Sequence, residues 1–79
     1  MKAMMKVGDL FGIKGKSTRE MAYTEETRLY LVIEEKHVDE DYGQNYNVQS
    51  MSGKHFGTIC LMDDVWLKTY EDRGCLERY

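Results

Sequence analysis

The segment from Arg28 to Val38, RLYLVIEEKHV, constrains the fold of this chain more than any other stretch. It holds five consecutive apolar residues, Leu29 to Ile33, before it becomes polar. Leucine, tyrosine, valine and isoleucine in a short run are typical of a strand, and turn residues follow the run. The segment therefore predicts a long strand whose first half is buried on both faces of a sheet.

A short strand and a long loop are predicted before this segment. KVGDLFGI, residues 6–13, has a Gly-Asp turn and then an apolar run in which Phe11 and Ile13 share one face. KGKSTREMAYTEET, residues 14–27, has little apolar content and no helical periodicity, so it predicts a long loop. The alternative is a short helix over Thr18–Glu26 that begins with a capping box.

Two more strands are predicted after the turn residues DEDYGQ. NYNVQSM, residues 45–51, alternates so that Tyr46 and Val48 share one face. Two residues, Ser52 and Gly53, separate this strand from the next one, KHFGTICLM, residues 54–62. A two-residue connection is typical of a tight hairpin. Together with the strand at residues 28–38, these two strands would form a three-stranded meander. Large aromatic residues are expected to fill the core, namely Tyr30, Tyr46, Phe56 and Trp66.

The last part of the chain predicts one helical turn and a short strand. Asp63 or Asp64 would cap the turn, and LKTY, residues 67–70, would form the strand. At 79 residues the chain is expected to be a single domain. Both ends are expected to be irregular or disordered, over residues 1–5 and 72–79, with residues 1–4 adding nothing to the fold.

In this order of elements the chain resembles the small SH3-like barrels, a group that includes Sm-like, chromatin-binding and many phage-encoded proteins. The matching text is VGDLFGI, RLYLVIEE, YNVQS, HFGTICL and DDVWL, spread over most of residues 7–70. The resemblance implies an all-β fold: a small SH3-like barrel of about five strands, with a long first loop and a short 3-10 or helical turn before the last strand. The Asp and Asn signature of Sm proteins is not present, so the ligand stays open.

Size and composition favour a non-catalytic binding module without a cofactor. A domain of this length rarely supports a catalytic cleft together with the residues that position it. The apolar fraction of 42% and the lack of proline predict an ordered domain. No apolar stretch is long enough for a membrane span or a secretory signal, and the two cysteines are expected to be free thiols, so a cytoplasmic location is expected.

Two motifs that suggest chemistry are incomplete. GIKGKST, residues 12–18, ends like a nucleotide-binding phosphate loop, but Leu10 stands where the motif needs its first glycine. Two histidines and two cysteines would be a zinc ligand set, but they are separated by 17, 4 and 14 residues, which is not zinc-site spacing. No metal is expected at these four residues, which are His37, His55, Cys60 and Cys75.

Charge is divided unevenly along the chain. Residues 1–19 sum to +4 and residues 20–79 to −7. Basic residues interleaved with an aromatic ring are typical of surfaces that hold RNA or single-stranded DNA. The loop therefore supplies candidate nucleic-acid contacts: Lys14, Lys16, Arg19 and Tyr23. The alternative is a protein-interaction or structural subunit, for example of a phage, whose acidic remainder excludes nucleic acid. The charges would otherwise belong to a solvated face and be scattered by folding, and the acidic run Asp39–Asp41 is interpreted as a solvated turn.

Self-association is also expected, because five short strands leave sheet edges with unpaired backbone groups. KHFGTICLM has apolar residues on both faces, which is more than one small core buries, and neither it nor NYNVQSM contains proline. The candidate interface residues are Ile59 and Leu61, on the face opposite Met62. A homo-oligomer, as a dimer or a ring, is therefore expected.

Overall fold

The fold is built on one antiparallel sheet of five strands with a single short helix. A computed structural model describes residues 3–14 and 27–79. Within these ranges the strand order is β4-β3-β2-β1-β5, and every neighbouring pair is antiparallel. The elements in chain order are β1 Leu10–Ile13, β2 Arg28–Asp39, β3 Gly43–Ser50, β4 Ile59–Asp63, α1 Asp64–Asp72 and β5 Leu76–Arg78. The small, mainly β domain is thereby confirmed, and β4 and β5 are the two edges of an open sheet.

The core lies between one face of the sheet and α1. Phe11 and Ile13 of β1 are fully buried, and so are Tyr46 and Val48 of β3. Their shared faces follow from the two-residue period of a strand, as the sequence predicted. From α1, Leu67 and Tyr70 close the core, because their three-residue spacing puts both on one face of a helix.

Strand β2 is less buried than its composition predicted. Val32 is buried and pairs with Val48, whereas Leu29, Leu31 and Ile33 are only partly buried. One face of the first half of β2 packs on the core and the other face remains partly exposed. The prediction that both faces are buried was therefore wrong.

Helix α1 is longer than the single turn that the sequence predicted. Its N-cap is Asp63, whose carboxylate accepts the backbone N–H of Trp66 at 2.8 Å. The helix runs through LKTY, which the sequence placed in a strand, to Asp72. The last strand is β5, inside the tail that was expected to be irregular. Among the described residues, no helix has the length and apolar content to span a membrane.

The connection between β3 and β4 differs from the predicted two-residue hairpin. Turns continue through residue 57, and Gly53 has a φ of +70°. Phe56 lies in this connection and is exposed, and Trp66 is partly exposed on α1, where its ring packs at 4.4 Å from that of Tyr70. The prediction of a core position was right for Tyr46 and wrong for Phe56 and Trp66.

The segment before β1 is tied to the rest of the fold. Met5 is buried, and Met4 packs against the core. The backbone carbonyl of Met4 accepts a 2.8 Å hydrogen bond from the Arg78 guanidinium. Met4 therefore contributes contacts, contrary to the expectation for residues 1–4, of which residues 1 and 2 lie outside the described ranges.

Candidate functional site

The first residue of α1, Asp64, joins three segments of the chain. Its Oδ1 accepts hydrogen bonds from the Tyr46 hydroxyl at 2.6 Å and from the Met4 backbone N–H at 3.4 Å. Its Oδ2 accepts the backbone N–H of Gln44 at 3.1 Å. Because Asp64 is buried, these donors replace the water that the carboxylate loses. The contacts hold the N-terminal segment, β3 and the start of α1 against one another.

Tyr46 completes this junction as a neutral donor. Its hydroxyl also accepts the backbone N–H of Met5 at 3.2 Å. Burial, followed by the hydrogen bond to Asp64, raises the pKa of Tyr46 above its ordinary value. The hydroxyl therefore stays protonated at neutral pH and acts as a fixed structural link.

The turn between β2 and β3 is held against α1 by short contacts. Oδ1 of Asp39 accepts the backbone N–H groups of Asp41 at 2.8 Å and Tyr42 at 3.1 Å, which shapes the turn. Gly43 follows with a φ of +76°, and a Cβ atom placed there would lie 2.9 Å from Cβ of Asp64. The hairpin end and the first turn of the helix are thus in direct contact.

A groove of about 570 Å³ opens between this turn, the N-terminal segment and α1. Its apolar wall comes from Met4, Val38, Tyr42 and Val65. Val38 is 73% exposed and Tyr42 is 54% exposed, so this apolar surface faces solvent. An apolar wall in an open concavity is typical of a surface that receives a side chain from a partner.

The rim of the groove is acidic. Glu40 and Asp41 lie at its edge and are exposed. Lys68 also lines the groove, but its ammonium group contacts the carboxylates of Asp72 at 3.1 Å and Glu71 at 3.8 Å. These two acids raise the pKa of Lys68 and compensate its charge. The groove therefore presents negative charge beside its apolar wall. This arrangement favours a ligand that has a cationic group next to an apolar one.

The residues predicted to contact nucleic acid lie elsewhere, as far as they are described. Lys14 is exposed just after β1, and its backbone N–H donates to the Cys75 carbonyl at 2.8 Å. Lys16, Arg19, Tyr23 and the alternative helix over Thr18–Glu26 lie outside the described residues. The proposed basic surface stays a prediction.

The predicted oligomer residues are exposed. Ile59 and Leu61 lie on the edge strand β4, with 56% and 59% of their surface accessible, and the buried Met62 points to the opposite face. Alternation along β4 was therefore predicted correctly. Whether another chain covers these two side chains stays a prediction.

The histidines and cysteines do not form a site in the described part of the chain. Cys60 is exposed on β4 and Cys75 is partly buried before β5, and both are free thiols. Although the residue is exposed overall, local desolvation raises the pKa of the Cys60 thiol, which disfavours the thiolate of an activated nucleophile. Within residues 3–14 and 27–79, no three histidine, cysteine, aspartate or glutamate residues are grouped so as to hold a metal ion.

The groove was missed by sequence reasoning, which interpreted Asp39–Asp41 as a solvated turn. One signal was present, because Val38 and Tyr42 place apolar side chains on both sides of this acidic run. The contribution of Val65 from α1 depends on how the hairpin packs against the helix, which no local pattern encodes. The groove is therefore a tertiary feature.

Comparisons with known proteins do not add to this geometry. No family model, no curated protein and no solved structure matches the chain. The groove and the exposed edge strand are the two surface features that bear on function.

Proposed function

We propose that this chain is a non-catalytic protein-interaction module that binds a basic segment of a partner protein in the groove between the β2–β3 turn and α1. The observation that carries the proposal is an exposed apolar wall, with Val38 and Tyr42, inside a rim formed by Glu40 and Asp41. The matching ligand is a peptide in which one large apolar side chain is flanked by lysine or arginine.

Charge complementarity selects this ligand over others. The apolar side chain of the ligand would be removed from water by packing against Val38 and Val65. Its cationic neighbours would contact the carboxylates of the rim. The phosphate groups of a nucleic acid would be repelled by the same carboxylates. Nucleic-acid binding through Lys14 and the residues after it is the competing function, and Lys14 does not line the groove.

We also propose that the sheet has the strand arrangement of an SH3-like barrel, although its edge strands β4 and β5 do not pair to close the barrel. Support comes from the strand order, in which β1 lies between β2 and β5, and from the helix that precedes the last strand. The free thiols of Cys60 and Cys75 support a cytoplasmic location. In this view the domain is a small scaffold, and its surface carries the function.

The test is binding of a fluorescent peptide with a central leucine between two pairs of lysines. Two matched peptides replace the leucine by alanine or the lysines by glutamate. We expect the first peptide to bind, the alanine peptide to bind several-fold more weakly, and the glutamate peptide not to bind. Affinity should fall as salt rises from 50 to 300 mM, since exposed charges are screened.

Variants locate the binding site. The double variant Glu40→Lys with Asp41→Lys should weaken binding on the order of ten-fold, because the rim charge is inverted. Glu35→Lys is the matched control, because Glu35 is exposed on β2 and lies outside the groove. Equal binding of the lysine and glutamate peptides would refute the proposal. Retention on single-stranded DNA at 50 mM salt without peptide binding would favour the nucleic-acid function.

A further inference from the structure

The edge strand β4 presents an open row of backbone hydrogen-bonding groups. The backbone N–H of Ser50 donates to the Thr58 carbonyl at 2.8 Å, just before β4 begins. In an antiparallel ladder, alternate residues turn their N–H and C=O groups toward the same neighbour. Cys60 and Met62 therefore bond to β3, and the backbone groups of Ile59, Leu61 and Asp63 point to the open edge.

The same strand is apolar on its exposed face. Ile59 and Leu61 project from it, and the exposed ring of Phe56 lies in the turn that precedes it. Within β4 there is no lysine, arginine or proline, which are the residues that commonly protect an edge strand from pairing. Unpaired backbone groups and exposed apolar side chains thus coincide at Ile59 and Leu61.

We propose that β4 pairs antiparallel with β4 of a second copy of this chain, about a two-fold axis that passes beside Cys60. In this register Ile59 lies opposite Leu61 of the partner subunit, and Leu61 lies opposite Ile59 of the partner subunit. The outward backbone groups of both residues then gain hydrogen-bonding partners. The two five-stranded sheets become one continuous sheet of ten strands.

Side-chain chemistry selects this register. An axis beside Leu61 would place Ile59 opposite Asp63 of the partner subunit, and it would cover a carboxylate with an apolar side chain. The axis beside Cys60 instead groups four apolar side chains. A two-fold axis also brings the first end of one β4 beside the last end of the other, so Asp63 of the partner subunit lies opposite Gly57, at the end of the turn that carries the exposed, basic Lys54. Charge complementarity thus favours a second copy as the occupant.

Size measurement tests the association. Light scattering during gel filtration at 100 µM should give twice the 9.3 kDa mass of one chain. The double variant Ile59→Lys with Leu61→Lys should give the single-chain mass and unchanged circular dichroism, because both side chains are exposed in the single chain. Val38→Lys, which changes an exposed valine in the groove, is the matched control and should leave the dimer intact. A single-chain mass for the unmodified protein, or a dimer in the double variant, would overturn the proposal.

Disulfide trapping tests the register. The two Cys60 residues would form a pair without backbone hydrogen bonds, with Cα atoms about 4.5 Å apart, which is within the range of a disulfide. Copper phenanthroline and oxygen would take two electrons from the two thiols, which lose their protons as the S–S bond forms. A Cys75→Ser variant should become a covalent dimer within minutes, and Cys60→Ser should not. A non-covalent dimer whose Cys60 residues do not crosslink would contradict the proposed register.

Discussion

Tyr46 donates a 2.6 Å hydrogen bond to Asp64 across 18 positions of sequence, and this contact connects the core to the groove. Tyr46 is fully buried in β3, whereas Asp64 begins α1 and lies in the wall of the groove. The hydroxyl also receives the Met5 backbone N–H. Changes at Tyr46 are therefore expected to alter both stability and the shape of the groove.

Replacement of Tyr46 by phenylalanine should lower the free energy of unfolding by about 1–3 kcal/mol. The variant removes the donor to Asp64 and the acceptor of the Met5 N–H, so two buried polar groups lose a partner. Thermal unfolding followed by circular dichroism measures the change, and each kcal/mol should lower Tm by roughly 4–8 °C in a domain of this size. Tyr42→Phe removes an exposed hydroxyl and should change stability by less than about 0.5 kcal/mol. Equal effects of the two variants would contradict the structural role of Tyr46.

Stability should fall as pH rises above about 10. The pKa of Tyr46 is raised in the folded chain, whereas the unfolded chain ionises near the ordinary tyrosine value of about 10. Below that pH the stabilisation from this group is fully present, and above it unfolding releases a proton, so the stabilisation is lost toward the higher folded pKa. Chemical unfolding between pH 8 and pH 11 measures this slope. The slope should be shallower in Tyr46→Phe, and parallel slopes would contradict the assignment.

Replacement of Gly43 by alanine should destabilise the fold by about 1–3 kcal/mol and weaken peptide binding in the groove. The residue has a positive φ, and the new Cβ would lie within 3 Å of Asp64. Gly53→Ala is a matched control, because Gly53 also has a positive φ but a Cβ there meets no atom within 4 Å. The difference between the two variants, measured by urea unfolding, isolates the contact between the hairpin and α1. No difference would show that this contact is not tight.

Replacement of Asp63 by alanine should cost about 0.5–2 kcal/mol, because the first turn of α1 loses the acceptor of the Trp66 N–H. Asp63→Asn keeps an acceptor oxygen at the N-cap and should stay within about 0.5 kcal/mol of the unmodified protein. Thermal unfolding at neutral pH measures both. If the asparagine variant were as unstable as the alanine variant, the negative charge at the helix start would matter more than the cap.

The strands were predictable wherever alternation alone decides which face is buried. Phe11 with Ile13 and Tyr46 with Val48 each repeat at two residues, and both pairs are buried as expected. The segment LKTY, for which the sequence predicts a strand, contains threonine and tyrosine, which favour strands. In the structure, the three-residue spacing of Leu67 and Tyr70, which puts both on the core face of a helix, outweighs that preference.

The groove could not be predicted in the same way. Val38 and Val65 are far apart in sequence, and they share a wall only because the hairpin end packs on the first turn of α1. That packing depends on the buried carboxylate of Asp64 and its donors from β3 and the N-terminal segment. A local pattern identifies the acidic turn but not the helix that faces it.

Strand β4 passes into α1 without an intervening loop, since Asp63 ends the strand and caps the helix. The edge that we propose for self-association and the groove that we propose for a basic peptide are therefore rigidly connected through one junction. A pair of chains joined at β4 would hold its two grooves at a fixed, two-fold related separation. Such a pair would be bivalent, and a partner with two suitably spaced basic segments would gain affinity from an effective concentration set by its own linker.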